Sequence, residues 1–305
     1  MSKTILITGA SGLLGKPLTR MLLQKGYSIH HLSRNPKLHG NPRITVFKWD
    51  IDKNQIDERC LEGVIAIVHL AGEGIAEKRW TAKRKQQIIQ SRTASIRIIY
   101  DLLKRSPTHQ VTTIISASAI GYYGDRGDDL LTEDSPPGNG FLPIACIEWE
   151  KAVDKGTELN LRVVKLRTGI VLSSEGGALP EIANPIKKGV GTALGSGKQW
   201  MSWIHIQDVI RMYVFATENT AIQGTYNMVA PNPVINAEMT QALSEIFDKK
   251  LWLPNAPSFG LRLVLGEMSA LVLDSNKVSC SKIKNAGFKF DYMELRSALK
   301  EIYSD

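Results

Sequence analysis

The chain has 305 residues, 43% of them hydrophobic and 22% charged, which gives a substantial core and excludes a disordered chain. The formal charge of +8 comes from 38 Lys and Arg against 30 Asp and Glu, but the basic residues are scattered apart from Lys83 to Lys85, so nucleic acid is not expected as a partner. Three distant cysteines, Cys60, Cys146 and Cys280, give neither a disulfide framework nor a metal spacing; with no leader and no bilayer-length apolar run, the expectation is a cytoplasmic protein without membrane or metal.

The stretch Thr4 to Gly15 reads as a short buried strand, a turn with glycines at Gly9, Gly12 and Gly15, and a helix from Leu13 to about Lys25. A pyrophosphate needs this pattern. Gly9 permits a tight exit from the strand, Gly12 lets the backbone approach the phosphates, and Gly15 lets helix and strand pack closely. Free N–H groups of the helix N-terminus, joined by Ser11, Leu13 and Leu14, then face the anion.

Tyr27 to Leu32 reads as a second strand ending in Ser33-Arg34. A carboxylate at this point binds adenosine ribose hydroxyls and repels a 2′-phosphate; a serine and an arginine favour the phosphate, so NADP is preferred over NAD. Ile44 to Lys48 is a third strand, with Asp50 beyond it as a partner for the adenine edge. Val64 to Leu70 is a fourth, and its Leu70-Ala71-Gly72 end lets a ligand lie against the backbone. Helical spacing follows from Thr81 to Leu103, where Gln87, Ser91 and Arg92 could reach the crevice or lie on the surface. Val111 to Ser116 is a fifth strand.

After it comes Ala117-Ser118-Ala119-Ile120-Gly121-Tyr122-Tyr123-Gly124-Asp125. With the glycine turn and the Leu-Ala-Gly after the fourth strand, this resembles the extended short-chain dehydrogenases/reductases, which include nucleotide-sugar epimerases and dehydratases. The resemblance implies a Ser or Thr after the fifth strand and a Tyr-x-x-x-Lys pair on the next helix, Phe141 to Lys155. Laid through Glu150, the pattern puts Leu142 at the tyrosine position and Cys146 at the lysine position, and the serine falls on Ala119 or Ser118. Leucine has no proton to give and a neutral thiol no fixed cation. Tyr122, Tyr123 and Ser118 are the candidate replacements, each with a packing role as the alternative, and Cys146 could act as a thiol or as a small buried residue.

Leu161 to Leu166 is another buried strand, leading through Arg167 to Val171 beside the nicotinamide half. Arg167 could hold an acidic group or form a structural ion pair. Gly195 to Asp208 is a second distinctive stretch, in which Ser196 to Ser202 would line a cleft and Gln207 or Asp208 would cap a helix. Trp200 and Trp203 divide between cleft and core, and His205 reads as structural or as a proton donor. Gly224 to Ala230 reads as a strand and Ala237 to Phe247 as a helix. Trp200 to His205, together with Leu265-Gly266-Glu267-Met268 and Ala286 to Phe290, resembles an atypical, NADP-binding branch of the epimerase family that bears a C-terminal domain of unknown function and shares the missing Tyr-x-x-x-Lys pair.

The expected fold is α/β: a Rossmann-type doubly wound parallel sheet with a smaller C-terminal substrate lobe. Residues 1–235 form the dinucleotide domain, with 168–184 and 193–204 contributing to the lobe that 236–305 completes. NADP is expected on Gly9, Ser11, Gly12, Leu13, Leu14, Ser33, Arg34, Asp50 and Gly72, with Leu70, Ala71, Arg92, Ser116 and Val171 at its nicotinamide half. The function expected is an oxidoreductase or epimerase-like enzyme acting on a small polar or sugar-nucleotide-like substrate, or a non-catalytic NADPH-sensing or partner-docking module; a homodimer through the two long helices is compatible with either.

Overall fold

The computed structural model describes residues 3–37 and 39–304. Eight strands form the main sheet: β1 (Thr4–Thr8), β2 (Ser28–Ser33), β3 (Ile44–Asp50), β4 (Gln55–Ile56), β5 (Val64–His69), β6 (Thr113–Ala119), β7 (Arg162–Thr168) and β8 (Gly224–Met228). They lie in the order β8-β7-β6-β5-β1-β2-β3-β4. All neighbours are parallel except the short hairpin of β3 with β4. The chain leaves β1 toward β2 on one side and returns to β5 on the other, so the crevice between them opens at the carboxyl ends of these strands. That is where an open α/β sheet binds its ligand.

Alternation within β1 builds two cores. Ile5 and Ile7 point to one face and pack with Leu18 and Leu22 of α1 (Gly15–Gln24), whereas Leu6 points to the other and packs with residues of α2 (Ala82–Arg105) and α3 (Phe141–Asp154). Both faces of β1 are buried, as its run of apolar β-branched residues requires. Helix α1 starts at Gly15, two residues later than its apolar pattern suggests, because Gly12 N–H first closes a turn on the Gly9 carbonyl at 3.0 Å.

A third core belongs to the smaller lobe. Leu179 and Ala183 of α4 (Ala178–Lys187) meet Met201, Trp203, Met239 and Leu243, and the last helix, Leu295–Tyr303, adds Leu295 and Leu299. Short strand pairs tie the lobe together: Trp203–His205 runs parallel with Ile170–Leu172, and Trp200–Met201 antiparallel with Val234–Ile235. The hairpin strand β4 and the short helices Ser258–Leu265, Ala270–Leu273 and Ser281–Asn285 carry too little periodicity to be read in advance. Among the described residues no helix is long and apolar enough to cross a membrane.

Candidate cofactor site and the missing proton relay

A crevice of about 1410 Å³ lies at the carboxyl ends of β1, β2, β3 and β5. Gly9, Ser11, Gly12, Ser33, Arg34, Asp50, Leu70, Ala71 and Gly72 line it, so most of the residues singled out for a dinucleotide are brought together. The three glycines have different physical reasons. Gly9 has φ +69°, and a Cβ there would stand 2.9 Å from the Leu70 carbonyl carbon; a Cβ on Gly15 would stand 2.4 Å from the Gly9 oxygen. Both are required by the fold. At Gly12 the nearest atom to a Cβ is the Gly9 oxygen at 3.3 Å, a tight contact that a shift of a few tenths of an ångström would relieve, so the fold demands less there than at Gly9 or Gly15. Helix α1 has no acidic residue in its first turn and no side-chain cap, which leaves its leading N–H groups for an anion.

The walls are held by specific bonds. Thr8 Oγ1 accepts from the N–H groups of Leu70 (3.1 Å) and Ala71 (3.0 Å), fixing the exit of β5 to that of β1. Ser33 Oγ accepts from Asn35 N–H at 3.2 Å, which leaves its proton for a ligand oxygen. Asp50 takes the N–H groups of Asp52 and Lys53, both at 3.1 Å, and so closes the turn beyond β3. Lys16 and, one helical turn beyond Gly15, Thr19 and Arg20 also line the crevice, as does His31, which alternates with Ser33 along β2. That spacing was the available signal for them.

Five other expected positions, Leu13, Leu14, Arg92, Ser116 and Val171, are not among the residues that line this crevice. Arg92 donates to the carbonyls of Ile88 (2.9 Å) and Glu73 (3.0 Å), and its guanidinium lies 5.0 Å over the Trp149 ring. It clamps the segment after β5 instead of projecting into the crevice, and the nearest approach to a Cβ on Gly72 would be the Arg92 Cζ at 3.1 Å. Ser116 is fully buried and bonded to His69 Nδ1 at 3.1 Å. Leu14 and Val171 are half-buried against the core, and Leu13 packs on the Gly177 loop, 3.4 Å from a Cβ placed there. Of the α2 residues considered, Gln87 and Ser91 do line the crevice.

At the relay positions the side chains are apolar or protonated. Leu142 packs beside Gly121 within a cluster that includes Trp80, Ile88, Phe141, Leu265 and Met268. Cys146 donates to the Ala119 carbonyl at 3.7 Å, and burial, reinforced by the charge of Glu150, pushes its thiol up to about 12. Ser118 and Tyr123 are both buried and engaged: Ser118 donates to Glu150 at 2.7 Å, and Tyr123 donates to Asn227 Oδ1 at 2.7 Å while accepting from Arg167 at 3.0 Å. Arg167 grips both Glu150 oxygens, at 2.8 and 2.9 Å. Burial pushes the Glu150 carboxyl up, but Arg167 overrides it and holds the group below the usual carboxylate range. Tyr122 is different. It is half-buried, its ring lies 3.5 Å beneath the Arg167 guanidinium carbon, and its hydroxyl has no hydrogen bond among the described residues.

The second distinctive stretch is mostly structural. Gln199 donates to the carbonyls of Leu194 and Val272, both at 3.0 Å, and the Trp200 indole donates to Asp128 at 2.7 Å. Trp203 is core. His205, not Gln207 or Asp208, caps the helix Ile206–Glu218, accepting from Gln207 N–H at 3.2 Å, and its other ring nitrogen meets Glu301 at 2.9 Å. Asp208 instead accepts from the N–H groups of Asp291 (3.0 Å) and Tyr292 (2.9 Å), fastening the C-terminal segment.

Residues 5–228 match the NAD dependent epimerase/dehydratase family. The chain belongs to that family. Residues 256–302 match a domain of unknown function, DUF1731. Among curated relatives, the epimerase family protein YfhF of Bacillus subtilis is 35% identical over 99% of this chain and 98% of its own, and the chloroplastic SDR39U1 homolog of Arabidopsis thaliana is 35% identical over 98% and 86%. Among solved structures, human epimerase family protein SDR39U1 (isoform 2), crystallised with NADPH, superposes with a TM-score of 0.84 at 26% identity, covering 99% of both chains. The UDP-glucuronic acid 4-epimerase of Bacillus cereus, at 20% identity and a TM-score of 0.79 over 98% of both chains, shares the fold. This member of the family is thus an SDR39U1-like, NAD(P)-binding protein.

Proposed function

We propose that the protein binds NADP(H) in the crevice and acts on it without the Tyr–Lys relay of its family. The observation that carries the cofactor choice is the end of β2, where Ser33 and Arg34 line the crevice and no carboxylate stands to repel a 2′-phosphate. A human relative at 26% identity that was crystallised with NADPH supports the same choice. When bound, the nicotinamide supplies or accepts hydride. Gly9 and Gly12 let the backbone approach the pyrophosphate, the N-terminus of α1 neutralises it, and Arg34 with Ser33 engages the 2′-phosphate. Where a proton is needed, the reading assigns its exchange to Tyr122, whose hydroxyl has no hydrogen bond among the described residues, while Tyr123 and Ser118 are committed to the buried Glu150–Arg167 pair. The substrate in this reading is a small polar or sugar-nucleotide-like molecule.

Replacing Arg34 with alanine tests the reading by calorimetry. NADPH should lose about 1.5–3 kcal/mol, the worth of hydrogen bonds to a charged group, with little change for NADH. Equal losses for both would contradict it. A second reading, an NADPH-sensing module without turnover, is favoured by one observation: Leu142 is packed into an apolar cluster where the proton donor would stand. Binding of NADPH with no hydride loss across a broad panel of carbonyl and sugar-nucleotide substrates would decide for it.

A further inference from the structure

His31 and Ser33 share one face of β2, the face that meets α1, and both line the crevice beside Thr19, Arg20 and Arg34. His31 Nε2 lies 3.0 Å from Thr19 Oγ1, and that hydroxyl lies 2.8 Å from the Gly15 carbonyl oxygen. A hydroxyl has one proton and a carbonyl can only accept. For both contacts to be hydrogen bonds, Thr19 must donate to Gly15 and Nε2 must carry hydrogen. The neutral imidazole then keeps its lone pair on Nδ1, which has no partner among the described residues.

The surroundings favour this neutral form. Burial pushes the His31 pKa down to about 4, with His39 and His30 adding to the effect. On the crevice side Lys16 and Arg20 of α1 and Arg34 beyond β2 are cationic. From β3 and the turn beyond it the wall carries the apolar Val46 and the anions Asp50 and Asp52; Glu73, Lys78, Arg84 and Arg97 also line the crevice. A 2′-phosphate dianion placed against Nδ1 would set acceptor against acceptor. A ribose 2′-hydroxyl would not, because it brings its own proton.

We infer that NADP(H) binds with uptake of one proton from solvent, held between His31 Nδ1 and a 2′-phosphate oxygen, whereas NAD(H) binds without it. The inference rests on NADP(H) occupying the crevice as proposed above. No bond between heavy atoms changes. Coenzyme preference then depends on pH: NADP(H) affinity falls toward tenfold per pH unit between the second phosphate pKa of about 6 and the higher pKa of the complex, and NAD(H) affinity stays flat.

Calorimetry near pH ~7.5, more than a unit above the second phosphate pKa of about 6, in buffers of different ionisation enthalpy, counts the protons taken up. NADPH should bind with uptake of about half to one proton and NADH with none. His31→Asn, which sets an amide donor at the Nδ1 position, should bind NADPH without uptake, while His39→Gln keeps it; if the asparagine variant does not fold, His31→Gln serves. Binding of NADPH by the unaltered protein without proton uptake would overturn the inference, as would equal uptake with NADH or undiminished uptake in the His31 variants. Absence of NADPH binding would overturn the cofactor reading and this inference with it.

Discussion

Leu142 and Gly121 lie side chain to backbone, so close that a Cβ on the glycine would stand 3.3 Å from the leucine Cβ. One helical turn on, the Cys146 sulfur would stand 3.9 Å from the same point. The residues at the tyrosine and lysine positions thus face the end of β6 as a proton relay would, but neither carries a titratable group usable at neutral pH.

Two adjacent tyrosines should therefore respond differently to loss of a hydroxyl. Tyr123→Phe leaves Arg167 and Asn227 each short of a buried partner and should cost about 1–3 kcal/mol of stability in urea titration, with NADPH affinity unchanged. Tyr122→Phe should leave stability within about 0.5 kcal/mol and remove any NADPH oxidation the protein performs. A Tyr123 variant that kept its stability and lost turnover would reverse these roles.

The glycines of the first turn should separate fold from ligand. Gly15→Ala drives a Cβ to 2.4 Å from backbone and Gly9→Ala combines a 2.9 Å approach with a positive φ, so both should lower the melting temperature substantially. Gly12→Ala meets only a 3.3 Å approach. It should melt within a few degrees of the parent and lose most of its coenzyme affinity. A Gly12 variant that binds NADPH normally would show that the pyrophosphate lies elsewhere.

Cysteine chemistry offers an independent check on the relay. All three thiols are buried, and burial pushes Cys60 and Cys146 up to about 12. Iodoacetamide at neutral pH should label none of them in the native protein and all three in urea, as mass spectrometry would read directly. Rapid native alkylation of Cys146 would restore it as a candidate nucleophile.

Acid should destabilise the fold through His69. The ring is fully buried between Ser116 and Ser95, and burial, then the charge of Arg92, pushes its pKa down to about 3. A depressed folded pKa means that the unfolded chain binds the extra proton, so this contribution is complete above about 6.5 and declines as pH falls toward 3. The slope should approach 1.4 kcal/mol per pH unit, and His69→Asn should flatten it. Glu150, whose carboxyl Arg167 holds low, adds a loss that begins as pH falls through the ordinary glutamate value of 4.5; Glu150→Ala should cost about 3–5 kcal/mol by leaving Arg167 buried and unpaired.

Much of the cofactor site was legible in the residues because its logic is local: Gly9, Gly12, Ser33 and Arg34 follow from one strand, one turn and the next strand. The juxtaposition of Leu142 and Cys146 was legible for the same reason, since they are four apart on one helix. What sequence could not supply was pairing between distant segments. Ser118 and Tyr123 stay open between a proton-donor role and a packing role until Glu150 and Arg167, from α3 and β7, are seen to claim them. Arg92 reads as open between crevice and surface because the Glu73 carbonyl, which takes one of its protons, becomes a neighbour only once α2 packs beside the segment after β5. His205 was ambiguous until its partner Glu301 arrived from the far end of the chain.

In the proposed binding mode, Gly9 to Leu14 and Ser33-Arg34 hold a 2′-phosphorylated coenzyme. Titrating NADPH and then NADH into the purified protein in a calorimeter tests it most directly. NADPH should bind at a single site and more tightly than NADH; no heat with either coenzyme, or tighter binding of NADH, would contradict the account.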